Sequence, residues 1–229
     1  MRISTGVAGL DDLLGGGLPA RRLYTVSGPP GSGKTTLAAQ FVTDGIRSGD
    51  DVLYVTMHET RNELVEDMSN YEFGFERAAS ADRFEFLNLT MERARRSLTQ
   101  YGRESGLSPR LASMIRQEDY DRVVVDSTML LDHFAEDADT EVTHFATGLK
   151  QTDATVLLIS EMTDPTGYAE EHYLAHGVIF LHNFLEEGGM TRGIQLVKMR
   201  GTNIDCDIRD VTFTGSGLQV DPGRKVRPE

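Results

Sequence analysis

The sequence predicts an α/β fold: a mostly parallel central sheet flanked by helices, with a C-terminal antiparallel hairpin extension. Three observations predict it. Short runs that are apolar throughout, such as "RVVVDS" (122–127) and "ATVLLIS" (154–160), fit strands covered on both faces. Segments with helical spacing separate these runs, as crossover connections between parallel strands require. After residue 176 the pattern changes to paired strand-like runs joined by short Gly-containing turns.

The elements follow in order. "RRLYTVSG" (21–28) is a short apolar strand ending in Gly. "KTTLAAQFVTDGIRSG" (34–49) places Leu37, Ala38, Phe41, Val42 and Ile46 near one helical face, with Gly49 as the stop. "DVLYVTM" is the next strand, and "RNELVEDMSNY" sets Leu64, Val65 and Met68 on a helical stripe. "RFEFLNL" (83–89) alternates as a strand does, "LASMIRQ" is helical, and "RVVVDS" is a buried strand ending in Asp. "TEVTHFATGLKQ" is helical and "ATVLLIS" is a buried strand. "GVIFLHNFLEEGGMTRGIQLVKMRG" reads as two strands with a turn at Glu187–Gly189, and "VTFTGSGLQV" as a further hairpin. No internal repeat or domain boundary appears, so residues 1–229 read as one domain with a loose tail at about 221–229.

Composition narrows the function classes. No stretch approaches the roughly 18 apolar residues of a membrane span, and the N-terminal residues do not form an export signal. Cys206 is the only cysteine, so an intrachain disulfide is excluded and a cytoplasmic setting fits. The chain has 36 acidic and 23 basic residues, a formal −13, and only four of the bases are lysine. That balance opposes non-specific binding to nucleic acid. It also suggests adaptation to concentrated salt, where screening removes self-repulsion. One basic island, "MERARRSLTQYGRESGLSPRLASMIR" (91–116), reads either as a solvated helix face or as a docking face for an acidic protein partner. His144, His172, His176 and His182 lack metal-ligand spacing, so no structural zinc is expected.

Three motifs carry chemistry. Gly28-Pro29-Pro30-Gly31-Ser32-Gly33-Lys34-Thr35, followed by Thr36, fits G-x-x-x-x-G-K-[ST] between a strand and a helix. Such a loop curls its N–H groups around a phosphate, aided by the positive end of the helix. Lys34 can reach the β- and γ-phosphates, and the Thr35 hydroxyl can bind Mg²⁺. An ordinary Gly-rich turn is the bland alternative, and the strand–loop–helix context argues against it. Asp126 closes a later apolar strand, where a carboxylate can order Mg²⁺ beside the phosphates; taken alone it could be a helix cap. In "KMRGT" (198–202), Lys198 and Arg200 project to the same face of a strand. Two adjacent cations suit an anion, although a solvated strand end gives the same pattern.

With "GLDDLLGGGLP" (9–19) before the first strand and "VTMHET" (55–60) after the first helix, these motifs resemble the KaiC family of RecA-like P-loop ATPases. The resemblance runs from about residue 4 to 203 and corresponds to a single KaiC domain. It implies ATP with Mg²⁺ and a RecA-like sheet. It also implies a homo-oligomeric ring, with a hexamer as one candidate size and nucleotide at the subunit interfaces. In such rings the positions of Lys198 and Arg200 reach the γ-phosphate held by the adjacent subunit, a finger in trans. Two departures stand out. The family usually has two adjacent carboxylates where this chain has His58 and Glu59, which leaves Glu59 as the water-orienting base with His58 beside it. After "KMRGT" the family tends to be basic, and this chain reads "NIDCDIRD".

The expected function is a slow ATPase acting as a regulatory switch. One competitor is a nucleotide-bound scaffold that does not hydrolyse, like the KaiC-related component of the archaeal motility motor. Another is a RadA- or RadB-like recombination factor. The acidic segments "LLDHFAEDADTE" and "EMTDPTGYAEEH" disfavour DNA as a partner.

Overall fold

The computed structural model describes residues 1–90, 96, 98–101, 107–127, 138–162, 164, 167, 169–186 and 188–226. Much of the basic island and of the two acidic segments lies outside these residues, as does Glu187 in the expected turn.

The N-terminal segment forms a two-stranded sheet, β1 (Arg2–Ile3) with β2 (Leu18–Pro19), around the short helix α1 (Leu10–Leu13). Next come β3 (Leu23–Gly28), α2 (Lys34–Ser48), β4 (Val52–Thr56), α3 (Arg61–Met68), α4 (Phe75–Ala79) and β5 (Phe84–Asn88). A 3₁₀ turn (Leu98–Tyr101), α5 (Leu107–Gln117), β6 (Arg122–Asp126), α6 (Ala138–Leu149) and β7 (Thr155–Glu161) follow. Then come α7 (Glu170–Leu174), β8 (Gly177–Glu186), β9 (Gly189–Met199), β10 (Arg209–Thr214) and β11 (Gly217–Lys225).

Among the described residues, nine strands make one sheet in the order β11-β10-β9-β8-β3-β7-β6-β4-β5. The strands from β5 to β8 run parallel, and β8 to β11 form the antiparallel extension. The uniform hydrophobicity of the central strands follows from cover on both faces. On β6, Val124 packs on one face with α2 residues Leu37 and Phe41. Val123 and Val125 pack on the other with Leu111, Ile115 and Phe145 of α5 and α6. Each fully buried Val or Leu of this kind contributes about 1.5–3 kcal/mol of hydrophobic transfer.

Some boundaries differ from the sequence reading. The tail read as loose from residue 221 instead continues β11 to Lys225, where Lys225 pairs with Arg209 across a register shift. Its polar, Pro- and Gly-containing sequence is held by the neighbouring strand and by ion pairs Arg224–Asp210 (3.5 Å) and Lys225–Asp207. The helix read over 61–71 ends at Met68, and α4 and the β1–β2 sheet were not read. Arg200, read on the strand with Lys198, lies one residue past the end of β9.

Candidate functional site

The phosphate-binding motif lies where β3 turns into α2. Gly28, Gly31 and Gly33 have φ of 154°, 73° and 104°, and the last two are left-handed positions that Gly occupies without strain. No side chain caps the first N–H groups of α2. The Ser32 hydroxyl is buried without a hydrogen-bond partner among the described residues. These orphan donors border a cleft of about 500 Å³ lined by Pro30, Lys34, Thr35, Thr36, Tyr71 and Phe213, among others. Uncapped N–H groups and an unpartnered hydroxyl suit a phosphate. Pro29 contributes its carbonyl, which accepts from Lys34 at 3.0 Å.

Lys34 is buried, and its ammonium also donates to the Gly28 carbonyl at 2.9 Å. Its remaining contact is an ion pair with Glu161 at 3.0 Å. Glu161 ends β7 and stands level with Gly28 across the parallel pair. A phosphate at this loop would exchange with Glu161 for Lys34.

On the other side of Thr35 is Asp126. Its Oδ2 accepts from the Thr35 hydroxyl at 3.0 Å and from the Tyr54 hydroxyl at 2.8 Å. Burial pushes the Asp126 carboxyl up, against the pull of these two hydroxyls. A divalent cation would reverse that penalty. Among the described residues no group of three or more His, Cys, Asp or Glu forms a metal cage. One hydroxyl and one carboxylate fit Mg²⁺, which takes few protein ligands and relies on phosphates.

The turn 57–60 between β4 and α3 is pinned at both ends. Thr60 caps α3 through a capping box with Glu63, and the Asn88 amide donates to the Glu59 carbonyl at 2.7 Å. Glu59 is half-buried. Burial, then the charges of Asp126, Asp67 and Glu63, push its carboxyl up to about 7. A carboxyl in that range is matched to taking a proton near neutral pH. His58 is exposed, with its backbone N–H donating to the Thr56 hydroxyl at 3.1 Å, and its charge bears on Asp126.

Lys198 and Arg200 are not brought to this cleft. Met199 pairs with Gly177, which stands level with Tyr24 near the start of β3, so both cations lie at the opposite edge of the sheet from the P-loop. Lys198 donates to the His172 and Tyr173 carbonyls and Arg200 to that of Tyr173. The acids after "KMRGT" are engaged locally, with Asp205 and Asp207 paired to Arg209 and Asp207 also to Lys225.

Sequence reading missed Glu161, Tyr54 and Arg192. Arg192 lines the cleft, donates to the Gly31 carbonyl at 3.4 Å and lies over the Phe213 ring at 5.1 Å. Only Glu161 left a signal, as the charge directly after an apolar strand.

A glycine-rich loop feeding a helix, on a mostly parallel sheet with Asp126 two strands away, defines a P-loop domain of RecA-like fold. The chain belongs to the KaiC ATPase family, whose profile matches residues 3–225. It is 30% identical over 228 residues to the circadian clock oscillator protein KaiC of Parathermosynechococcus lividus, covering 95% of this chain and 42% of that one. It is 26% identical over 210 residues to the circadian clock protein KaiC3 of a Synechocystis strain, covering 88% and 42%. The chain thus spans under half the length of these relatives. The crystal structure of a KaiC-like protein from Pyrococcus horikoshii OT3 superimposes with a TM-score of 0.80 at 23% identity, over 97% of this chain and 99% of that one.

Proposed function

We propose that this chain binds ATP with Mg²⁺ at the P-loop and hydrolyses it slowly as a cytoplasmic regulatory switch. Residues Gly28 to Thr36 bind the phosphates, with Lys34 leaving Glu161 for the β- and γ-phosphates. Thr35 and Asp126 hold Mg²⁺, which supplies charge neutralisation at the phosphates. Glu59 orients and deprotonates the attacking water, and His58 stands beside it as a weaker acceptor. Lys198 and Arg200 act on the nucleotide of an adjacent copy in a ring, because they are too far from their own P-loop. The observation that carries this reading is the Thr35–Asp126 hydrogen bond beside a glutamate raised to about 7. A second reading, a nucleotide-bound scaffold, is favoured by His58 standing where the family has a carboxylate.

The test is release of phosphate from Mg·ATP by the wild-type chain. A slow rate supports the ATPase; binding without turnover selects the scaffold. Lys34→Ala should weaken ATP binding at least tenfold, read as a smaller ligand-induced melting shift. An unchanged shift would place the nucleotide elsewhere.

A further inference from the structure

Tyr54 is fully buried and lies in the apolar cluster between the sheet and α2, with Val124, Leu37 and Phe41. Its ring stacks on Phe86 of β5 at 5.7 Å between centroids. A phenylalanine would pack in the same way without burying a hydroxyl, which costs free energy unless it is hydrogen-bonded. Among the described residues the hydroxyl has one partner, Oδ2 of Asp126 at 2.8 Å.

Strand register explains the reach. In the parallel pair β4–β6, Tyr54 stands level with Val124, and Asp126 lies two positions further along on the same face. Two residues of strand span about 6.6 Å at about 3.3 Å per residue. A tyrosine crosses that gap with an apolar ring and a polar tip, where a serine or threonine hydroxyl would fall short. Thr35 approaches the carboxylate from α2, and its hydroxyl donates to the same oxygen at 3.0 Å. A carboxylate oxygen has about two acceptor sites, so these two donors occupy Oδ2. Among the described residues no hydrogen bond reaches Oδ1. Thr35 can keep donating its proton to Oδ2 while it offers a lone pair to a cation. The Tyr54 phenol has no such second role and only holds the carboxylate.

We propose that Tyr54 is a positioning residue of the cation site: its phenol fixes the Asp126 carboxylate so that Oδ1 is the oxygen turned to the divalent ion. The inference rests on the Mg²⁺ reading above, and Tyr54 acts through Asp126 without touching nucleotide or metal. A ligating carboxylate that is itself hydrogen-bonded keeps its orientation, and loss of such a partner costs roughly 10–100-fold in metal affinity. The bland account is a phenol and a carboxylate that satisfy each other in the core. It predicts lower stability with metal affinity intact.

The test uses the full chain, in excess over a non-hydrolysable ATP analogue, with Mn²⁺ titrated as the probe and read by electron paramagnetic resonance. Tyr54→Phe should weaken Mn²⁺ binding about tenfold while keeping binding of the analogue in EDTA within about twofold of wild type. Tyr24→Phe removes an equally buried phenol from the Pro19 carbonyl and should leave Mn²⁺ binding unchanged. Undiminished Mn²⁺ binding in Tyr54→Phe, an equal loss in Tyr24→Phe, or an equal loss of the analogue in EDTA overturns the proposal. The chain has seven tyrosines and no tryptophan, so tyrosine fluorescence gives a second reading. In Tyr71→Phe, which removes the tyrosine lining the cleft, Mg²⁺ added to the analogue complex should change the fluorescence. Adding Tyr54→Phe should abolish that change. If Tyr54→Phe fails to fold by circular dichroism, the Tyr71→Phe signal decides: a change supports the proposal and its absence overturns it. Wild-type protein that binds no Mn²⁺ with the analogue would sink the Mg·ATP reading and this proposal with it, whereas a missing Tyr54 effect alone leaves that reading standing.

Discussion

The carboxyl of Glu59 is held in a pinned turn, half-buried, near Asp126, and its ordinary value of 4.5 is raised to about 7. The raised value means that the folded chain tolerates the ionised form less well than the unfolded chain does. The stability attached to this group is therefore full below about 4.5 and is lost as pH rises through about 7. Above pH 7, Glu59→Gln should make the nucleotide-free protein more stable by about 1 kcal/mol, less than the full shift implies because the side chain is partly solvated. Below pH 4.5 the difference should vanish; chemical denaturation at both pH values measures it. In turnover the same residue acts in its ionised form. The wild-type kcat/KM should rise with pH through about 7, and Glu59→Gln should lower hydrolysis by roughly 10²–10⁴-fold with ATP still bound. His58→Glu restores the paired carboxylates and should raise the rate. A large loss in His58→Ala with little change in Glu59→Gln would transfer the base role to His58.

At the scale of elements, Arg122 shows how β6 is anchored. It is 2% exposed, bridges Asp44 at 3.1 Å and Asp50 at 2.6 Å, and donates to the Ser4 and Phe41 carbonyls. Its guanidinium also lies 4.7 Å from the Phe41 ring centre. One side chain thus joins α2, the α2–β4 connection and the N-terminal segment to the start of β6, the strand that ends in Asp126. Removing it leaves two carboxylates without their cation, and Arg122→Ala should destabilise the fold by about 3 kcal/mol or more in urea unfolding. A cost below about 1 kcal/mol would mean that water replaces the guanidinium. The β8–β9 hairpin works differently. One end flanks the P-loop, where Asn183 donates to the Pro30 carbonyl at 3.2 Å, and the other carries Lys198 and Arg200. Arg200→Ala should keep ATP binding in its own P-loop within about threefold while lowering turnover and ATP-driven association. Full turnover by a monomeric variant would remove the finger in trans.

For the whole molecule, the excess of 36 acidic over 23 basic residues sets how the fold responds to salt. Self-repulsion among exposed carboxylates falls as the screening length shrinks from about 10 Å at 0.1 M to about 3 Å at 1 M. The melting temperature should rise by several degrees, roughly one to two kcal/mol of stability, between dilute buffer and molar KCl. A flat or falling dependence would assign the acidity to ordinary solvation. No helix among the described residues is long and apolar enough to cross a membrane.

The sequence by itself determined the α/β class, the phosphate-binding loop and the order of its motifs, because these are local. Periodicity marks strands buried on both faces, and Gly spacing fixes a loop whose conformation only Gly tolerates at Gly31 and Gly33. It also marked Asp126 as a carboxylate at a strand end and Glu59 as one just past the end of another. It could not show that Tyr54 would bond Asp126, or that Glu161 would hold Lys34. Those contacts depend on β4 lying beside β6 and β7 beside β3, pairings between residues far apart in the chain. The tail showed the same limit, since its polar sequence becomes strand only against β10. The tertiary structure alone separated Lys198 and Arg200 from their own P-loop and gathered Arg22, Lys150 and His176 around Arg200, because sheet order and strand direction decide which ends of distant segments meet.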